Sequence, residues 1–244
     1  MSAIKATDGE AEVVRREALS ADVARLTLRV LSPAGFRFKH GQFINVNIPQ
    51  GEGKPLIRAY SLTSPPETPE QLQLCFDTEQ PGPGVAYLLA LQPGERLRFK
   101  GPLGLLTLRE PSMREVLVVC HISAVGVGLQ LVRGLLSQAP TRRVTFIYEP
   151  KQEDALLFGA ELHSLMQHHP HFQAVVTFPE GSPAWLGPRL SLQDETLRRV
   201  RVPAETDVYA VGLGGMVASL KKALKDLGVP NEQLVTEKWS KAEE

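Results

Sequence analysis

The sequence predicts two domains in tandem: an N-terminal antiparallel β-barrel, then an α/β domain with a doubly wound parallel sheet of the nucleotide-binding kind. Three observations carry this. In the first half, apolar and polar residues alternate in short runs separated by Gly and Pro turns, the pattern of half-buried barrel strands. In the second half the apolar runs are continuous, as in strands covered on both faces. Those runs alternate with helical spacing, which builds a parallel sheet with crossover helices. The 244 residues are long for one core and comfortable for two. We place the joint near Pro111, giving a barrel over 8–110 and an α/β domain over 111–244.

The elements follow in order. Ala24, Leu26, Leu28 and Val30 alternate with Arg25, Thr27 and Arg29 in a half-buried strand, closed by the turn Ser32-Pro33-Ala34-Gly35. Phe43 to Ile48 alternates again until Gly51, Gly53 and Pro55. A strand over Arg58–Ser64 ends at Pro65-Pro66. Leu72, Leu74 and Phe76 mark the next, a short helix spans Val85 to Leu91, and Pro93-Gly94 turns the chain into a strand at Arg96–Lys100. Beyond the joint, Val116 to Cys120 is a buried strand. A glycine-containing turn and a helix with Leu131, Val132, Leu135 and Leu136 follow it. Val144 to Tyr148 is the second strand. Phe158, Leu162, Leu165 and Met166 sit at i, i+4, i+7 and i+8 of a helix. Phe172 to Phe178 and Asp207 to Val211 are the third and fourth strands. The last helix carries Met216, Val217, Leu220, Leu224 and Leu227 and stops at Gly228 and Pro230. Leu234 to Glu237 is a final strand.

Composition narrows the function. Basic and acidic residues balance at 27 each, so no basic excess argues for nucleic acid. The apolar runs are far shorter than the roughly 20 residues of a membrane-spanning helix, and Met1 to Glu10 lacks the apolar core of a secretory signal. Cys75 and Cys120 are the only cysteines. They suit a reducing cytoplasm, and they are too few for the four thiolates of an all-cysteine iron–sulfur cluster.

Several stretches could carry chemistry. On an extended Arg58-Ala59-Tyr60-Ser61-Leu62, Arg58 and Tyr60 share one face and Ser61 takes the other. That face either holds an anion and a flat ring together or belongs to an ordinary edge strand. Gly82-Pro83-Gly84-Val85-Ala86-Tyr87 opens a helix whose first amides suit phosphate oxygens, and it can equally be a plain turn. Ser123 to Gly128 and Gly212-Leu213-Gly214-Gly215-Met216 each follow a strand and open a helix, where open α/β sheets bind ligands. Gly126 and Gly128 match a dinucleotide fingerprint poorly, because Leu131 stands where a third glycine belongs. His163, His168, His169 and His171 cluster at a helix end without acidic or thiol partners at a metal-binding spacing, so no metal site is assigned. No Gly-x-Ser-x-Gly elbow supports a hydrolase.

From about Glu12 to Trp239 the order of motifs resembles the ferredoxin–NADP reductase superfamily of flavoprotein reductases. Phe38-Lys39-His40-Gly41-Gln42-Phe43 resembles its Phe-x-Pro-Gly-Gln-Phe entry, and Arg58-Ala59-Tyr60-Ser61 matches its Arg-x-Tyr-Ser flavin motif. Gly84-Val85-Ala86 resembles its Gly-x-x-Ser/Thr phosphate turn. Pro93-Gly94 and Gly101-Pro102-Leu103-Gly104 match two further turns. Val208 to Val217 resembles its Val-Tyr-x-Cys-Gly-Pro-x-x-Met-Val segment, and Glu237-Lys238-Trp239 its terminal Glu-x-aromatic. The resemblance implies FAD, with Arg58 at the pyrophosphate, Tyr60 against the isoalloxazine and the Ser61 hydroxyl near flavin N5. Ala59 lies in the same motif, Cys75, Phe76 and Asp77 line the adenosine side, and Gly84, Val85 and Ala86 meet the pyrophosphate. Glu237 joins Ser61 as a catalytic group. Ser123, Gly126, Gly212, Gly214, Gly215, Met216 and Trp239 are the remaining expected cofactor contacts.

The second domain departs from the pattern. The Gly-Gly-Thr-Gly-x-x-Pro loop reads His121-Ile122-Ser123-Ala124-Val125-Gly126-Val127, Val211 replaces a cysteine, and Leu213 a proline. Glu149 stands after the second strand, where an acid accepts from ribose and disfavours a 2′-phosphate, so NADH is preferred over NADPH. The resemblance thus implies an FAD-dependent NAD(P)H oxidoreductase that passes a hydride to flavin N5, then single electrons to a separate iron–sulfur or haem protein. The alternative is a flavin-binding electron-transfer or partner subunit with a degenerate pyridine-nucleotide site.

Overall fold

The computed structural model describes residues 4–79, 81–109, 112–152 and 156–239. The chain divides into two compact units between Thr107 and Leu108. The expected joint at residues 110 and 111 lies outside the described residues.

The first unit is one six-stranded antiparallel sheet, made of β1 (Thr7–Ala18), β2 (Val23–Ser32), β3 (Phe43–Ile48), β4 (Leu56–Ser61), β5 (Gln71–Asp77) and β6 (Arg96–Leu103). The spatial order is β4-β3-β6-β1-β2-β5. Its two edge strands come back together, through a bridge between Leu62 and Leu74 and a bond from the Thr63 amide to the Gln73 carbonyl at 2.8 Å. The expected barrel is therefore present, and β4 stops at Ser61 rather than Ser64 because only that bridge continues it. Alternation fills the interior. Ile44, Val46 and Ile48 of β3 point inward with Leu26 and Leu28 of β2, Leu72 and Leu74 of β5, and Leu97 and Phe99 of β6. Helix α1 (Pro83–Ala90) packs against this core through Leu88 and the partly buried Val85 and Tyr87.

The second unit holds β7 (Glu115–His121), α2 (Val125–Gln138), β8 (Val144–Glu149), α3 (Gly159–His168), β9 (Phe172–Val176), α4 (Leu192–Arg199), β10 (Thr206–Leu213), α5 (Gly214–Asp226) and β11 (Leu234–Trp239). All its strand pairs are parallel, in the order β11-β10-β7-β8-β9. The doubly wound sheet is as expected, and its chain order reverses between β7 and β10. Three local readings change. The glycine turn after β7 is a short 3-10 segment, Ile122–Ala124, that runs straight into α2, so Gly126 and Gly128 are helical and buried. Strand β9 ends at Val176, not Phe178. Helix α4 and strand β1 had no assignment from the sequence.

At the amino edge of this sheet, Asp207 at the start of β10 is held by three partners. Arg114 Nε donates to it at 3.0 Å and Ser112 Oγ at 3.1 Å, and Arg142 donates from the other side. The Arg142 and Asp207 side chains are 4% and 6% exposed. Arg142 also donates to the Arg114 carbonyl at 2.6 Å, so both charges are hydrogen-bonded out of water. Removing one member of such a pair strands the other. Asp207→Ala should destabilise the second domain by about 3–5 kcal/mol. Trp185 and Trp239 are the only tryptophans and both lie in that domain, so guanidinium unfolding followed by their fluorescence reads the change. A loss below about 1 kcal/mol would show that Asp207 is replaceable by water.

Candidate functional site

In the barrel, Arg58 pairs across from Val46 and Tyr60 from Ile44, so the two side chains share the inward face while Ala59 is exposed on the other. Arg58 Nη1 donates to the Ile57 carbonyl at 3.1 Å. Tyr60 is half-buried, its ring edge-on to Phe76 with centroids 6.1 Å apart. Burial pushes its pKa up to about 12 against the pull of Arg58, so the phenol is neutral at physiological pH. Ser61 ends β4 opposite Phe43.

Helix α1 comes down on this strand through Gly84. A Cβ there would lie 2.6 Å from the Tyr60 hydroxyl and 2.9 Å from Arg58 Cγ, so only glycine allows the approach. Pro83 has no amide hydrogen, and the Ala86 amide is spent on the Gly82 carbonyl at 3.0 Å. The Gly84 and Val85 amides remain at this helix end, beside a guanidinium and an aromatic ring. A cation, two amides and a flat ring in one cradle fit a diphosphate that carries an aromatic group. On β5, Cys75 and Phe76 are buried. The Cys75 thiol lies 3.7 Å from Thr63 Oγ1, and burial raises its pKa. Asp77 Oδ1 accepts from the Glu79 amide at 2.9 Å and shapes the turn after the strand.

In the second unit, the carboxyl ends of β7 and β10 lie side by side at the reversal of strand order, where open sheets form a ligand crevice. Ser123 is buried in the 3-10 segment, and Gly126 in the first turn of α2. Gly212, the residue before the last of β10, has φ +149°. A Cβ on it would meet Met216 Cε at 2.9 Å and His121 Cβ at 3.3 Å, so this glycine lets β7, β10 and α5 converge. Gly214 and Gly215 open α5, and nothing lies within 4 Å of where a Gly215 Cβ would stand. That helix start carries no acidic residue, leaving a positive end open to an anion. Trp239, at the end of β11, pairs with Leu213, and Glu237 with Val211.

Two features here had no counterpart in the sequence reading. Ile122 sits at φ +53°, the left-handed region that a β-branched residue rarely adopts, where the superfamily motif has glycine. A non-glycine residue held there costs of order 1–3 kcal/mol. The second is the role of Glu149. Its Oε2 accepts from the Leu192 amide at 2.8 Å, at the start of α4, and its Oε1 lies 3.9 Å from His121 Nε2. Burial raises the Glu149 pKa, partly offset by the Leu192 amide, and lowers that of His121. His121 Nδ1 is buried without a partner. Because α4 was not predicted, its tie to Glu149 could not be read from the sequence. Among the described residues no cluster of His, Cys, Asp or Glu could hold a metal, and no helix is long and apolar enough to cross a membrane.

A phosphate-and-ring cradle on a barrel and a crevice at a parallel-sheet reversal together define a flavin- and nicotinamide-dependent oxidoreductase. Residues 10–108 match the oxidoreductase FAD-binding domain family, and 124–222 the oxidoreductase NAD-binding domain family. The chain belongs to the ferredoxin–NADP reductase superfamily, and it is an FAD-dependent NAD(P)H oxidoreductase. It is 28% identical over 243 residues to ferredoxin–NADP reductase B of Sorangium cellulosum, covering 97% of this chain and 99% of that protein. It is 26% identical to the reductase component of propane 2-monooxygenase from Rhodococcus jostii, covering 96% of this chain and 64% of that protein. An Amycolatopsis cytochrome P450 reductase shares the fold at a TM-score of 0.85 with 22% identity, over 98% of this chain and 71% of that one. So does a Neisseria gonorrhoeae ferredoxin NADP+ reductase solved with FAD and NADP, at 0.79 with 21% identity over 95% and 98%.

The glycines of the second unit make opposite predictions. A Cβ on Gly128 would fall 2.1 Å from Cys120 Sγ and 2.7 Å from the Phe146 ring, inside a packed core. Gly128→Ala should therefore destabilise the domain by about 1–3 kcal/mol, the scale of overpacking. Gly215→Ala, in open space, should leave stability equal or raise it by up to about 1 kcal/mol, as alanine replaces glycine in a helix. The same unfolding measurement checks both. Equal losses would overturn the distinction between a packing glycine and an open one.

Proposed function

We propose that this protein takes electrons from NADH, in preference to NADPH, and delivers them singly to a separate iron–sulfur or haem protein. Residues 8–110 form its flavin domain and 111–244 its nicotinamide domain. The observation that carries the reading is the Gly84 approach to Arg58 and Tyr60, which puts amides, a guanidinium and an aromatic ring in one cradle. Relatives named as the reductase component of a monooxygenase, and a structural neighbour named as the ferredoxin reductase of a carbazole dioxygenase, support a separate acceptor. Arg58 with the Gly84 and Val85 amides would hold FAD, which would supply hydride acceptance from NAD(P)H and one-electron release.

The protein's own groups have distinct tasks. Arg58 holds the pyrophosphate with the Gly84 and Val85 amides. Ala86 closes that turn by its helical bond to Gly82. Tyr60, kept neutral by burial, lies against the isoalloxazine, with Ala59 behind it in the strand. Ser61 offers its hydroxyl to N5, and Glu237 its carboxylate to the same chemistry. Cys75, Phe76 and Asp77 form the wall on the adenosine side. Ser123, Gly126, Gly212, Gly214, Gly215 and Met216 receive the pyridine nucleotide, the open start of α5 taking phosphate oxygens. Trp239 flanks the cofactor. Glu149, where ionised, disfavours a 2′-phosphate by charge repulsion. The strained left-handed backbone at Ile122, at the carboxyl end of β7, supports a working nucleotide loop over a degenerate one, because such strain concentrates at binding sites.

FAD-loaded protein mixed anaerobically with NADH should lose its flavin absorbance near 450 nm, and with NADPH more slowly. If neither nucleotide bleaches the band, the reductase reading is wrong and a partner subunit with a degenerate site replaces it. Arg58→Ala should weaken FAD binding by about 1.5–3 kcal/mol, the scale of hydrogen bonds to a charged group. Flavin fluorescence titration of the stripped protein measures this, and an unchanged affinity would remove Arg58 from the site.

A further inference from the structure

Glu237 and Trp239 are two residues apart on β11, and strand alternation sends both side chains to one face. There Trp239 Nε1 donates to Glu237 Oε1 at 3.2 Å. The pair stands at the carboxyl edge of the parallel sheet, Glu237 beside Val211 and Trp239 beside Leu213 of β10. Helix α5 opens beside this strand end, where a Cβ on Gly214 would stand in ordinary contact, 3.4 Å, with the Trp239 carbonyl oxygen. A half-buried indole and a half-buried carboxylate therefore share a fixed strand end.

We propose that Trp239 is a positioning residue for Glu237, its indole N–H holding the carboxylate in one orientation for its work at the flavin. The inference rests on the reading that Glu237 serves the flavin. A free glutamate side chain samples many rotamers, and ordering it costs entropy. A hydrogen bond to a charged acceptor offsets that cost and is stronger than one between neutral groups. The indole donates through one oxygen, which fixes the direction of the other. Among aromatic side chains only tryptophan has an N–H that donates and cannot accept, so it selects the anion. Phenylalanine keeps a ring but has no donor. The terminal Glu-x-aromatic pattern thus carries more in this chain than a flat ring: the choice of tryptophan couples the aromatic residue to the acid two positions before it.

The test is a double-mutant cycle on the FAD-loaded protein, Trp239→Phe and Glu237→Ala singly and together, read in two ways. The first is the indole 1H–15N resonance of Trp239, assigned by its disappearance in Trp239→Phe. Glu237→Ala should move it, because the acceptor is gone. The second is the limiting rate of anaerobic flavin reduction by NADH. Trp239→Phe should lower it about tenfold, with the half-saturating NADH concentration unchanged within about twofold. In the Glu237→Ala background the same substitution should cost nothing further. An indole resonance that ignores Glu237→Ala overturns the hydrogen bond. A Trp239→Phe loss that is as large without Glu237 as with it overturns positioning, and Glu237 keeps its proposed task. Glu237→Ala with full rate removes that task from Glu237, and the positioning role falls with it.

Discussion

The parallel pairing of β7 with β10 is the constraint on which the second domain turns. The two strands are neighbours in the sheet but are separated in the chain by β8, β9 and their helices. Their crossovers therefore leave in opposite directions, and the carboxyl edge opens where they part. That opening needs the three elements around it to approach closely without filling it. Gly212 meets the need: its missing Cβ is the space taken by Met216 on one side and His121 on the other. At Gly214 the demand is weaker, since a Cβ there would stand 3.4 Å from the Trp239 carbonyl oxygen, an ordinary contact. The helix starts that suit a phosphate are set by these approaches rather than by any side chain directed at a ligand.

The two edges of that sheet are built to different standards. At the amino edge the buried Arg142–Asp207 pair is hydrogen-bonded on both sides, with Ser112, Arg114 and backbone oxygen completing it. A buried charge is tolerable only under such conditions. At the carboxyl edge the bonding is incomplete. His121 Nδ1 is buried without a partner, Glu149 is pushed toward its neutral form, and Ile122 is held in a backbone region it disfavours. Departures of this kind concentrate where a protein must receive something, and the rest of the fold has to offset them. The amino-edge network is well placed to do so, because it ties the starts of β7, β8 and β10 together.

Legibility from sequence followed how closely burial tracked hydrophobicity. Strand β3 was read with its true bounds because Ile44, Val46 and Ile48 face the core and Asn45 and Asn47 do not. Strand β1 was missed because its inward residues, Ala11 and Val13, are few and sit among charges that pair along the surface. Helix α4 was missed for a sharper reason. Its fully buried residues include Glu195 and Thr196; Glu195 is satisfied by Arg198 and Arg199, and Thr196 donates to the Leu192 carbonyl. A helix that buries polar residues with partners has no apolar stripe to detect. The grouping of Arg58, Tyr60 and Gly84 was legible because each is specific in type, and the fold does bring them together. The loop after β7 misled because glycine signals both turns and close packing, and Gly128 is there for Cys120 and Phe146.

Glu149 shows how an unseen element changes the meaning of a seen residue. Read on strand position alone, it is an acid that accepts from a ribose hydroxyl. In the fold, Oε2 already accepts from the first amide of α4, and Oε1 lies on the His121 side. The proposed preference for NADH rests on two effects, a hydrogen bond accepted from a ribose hydroxyl and repulsion of a 2′-phosphate. That repulsion needs only the charge to be near, and it grows as the surroundings lose water. It also depends on Glu149 being ionised, and the Leu192 amide favours that state against the desolvation that opposes it. The helix that uses part of the accepting capacity of Glu149 thus also opposes its neutralisation.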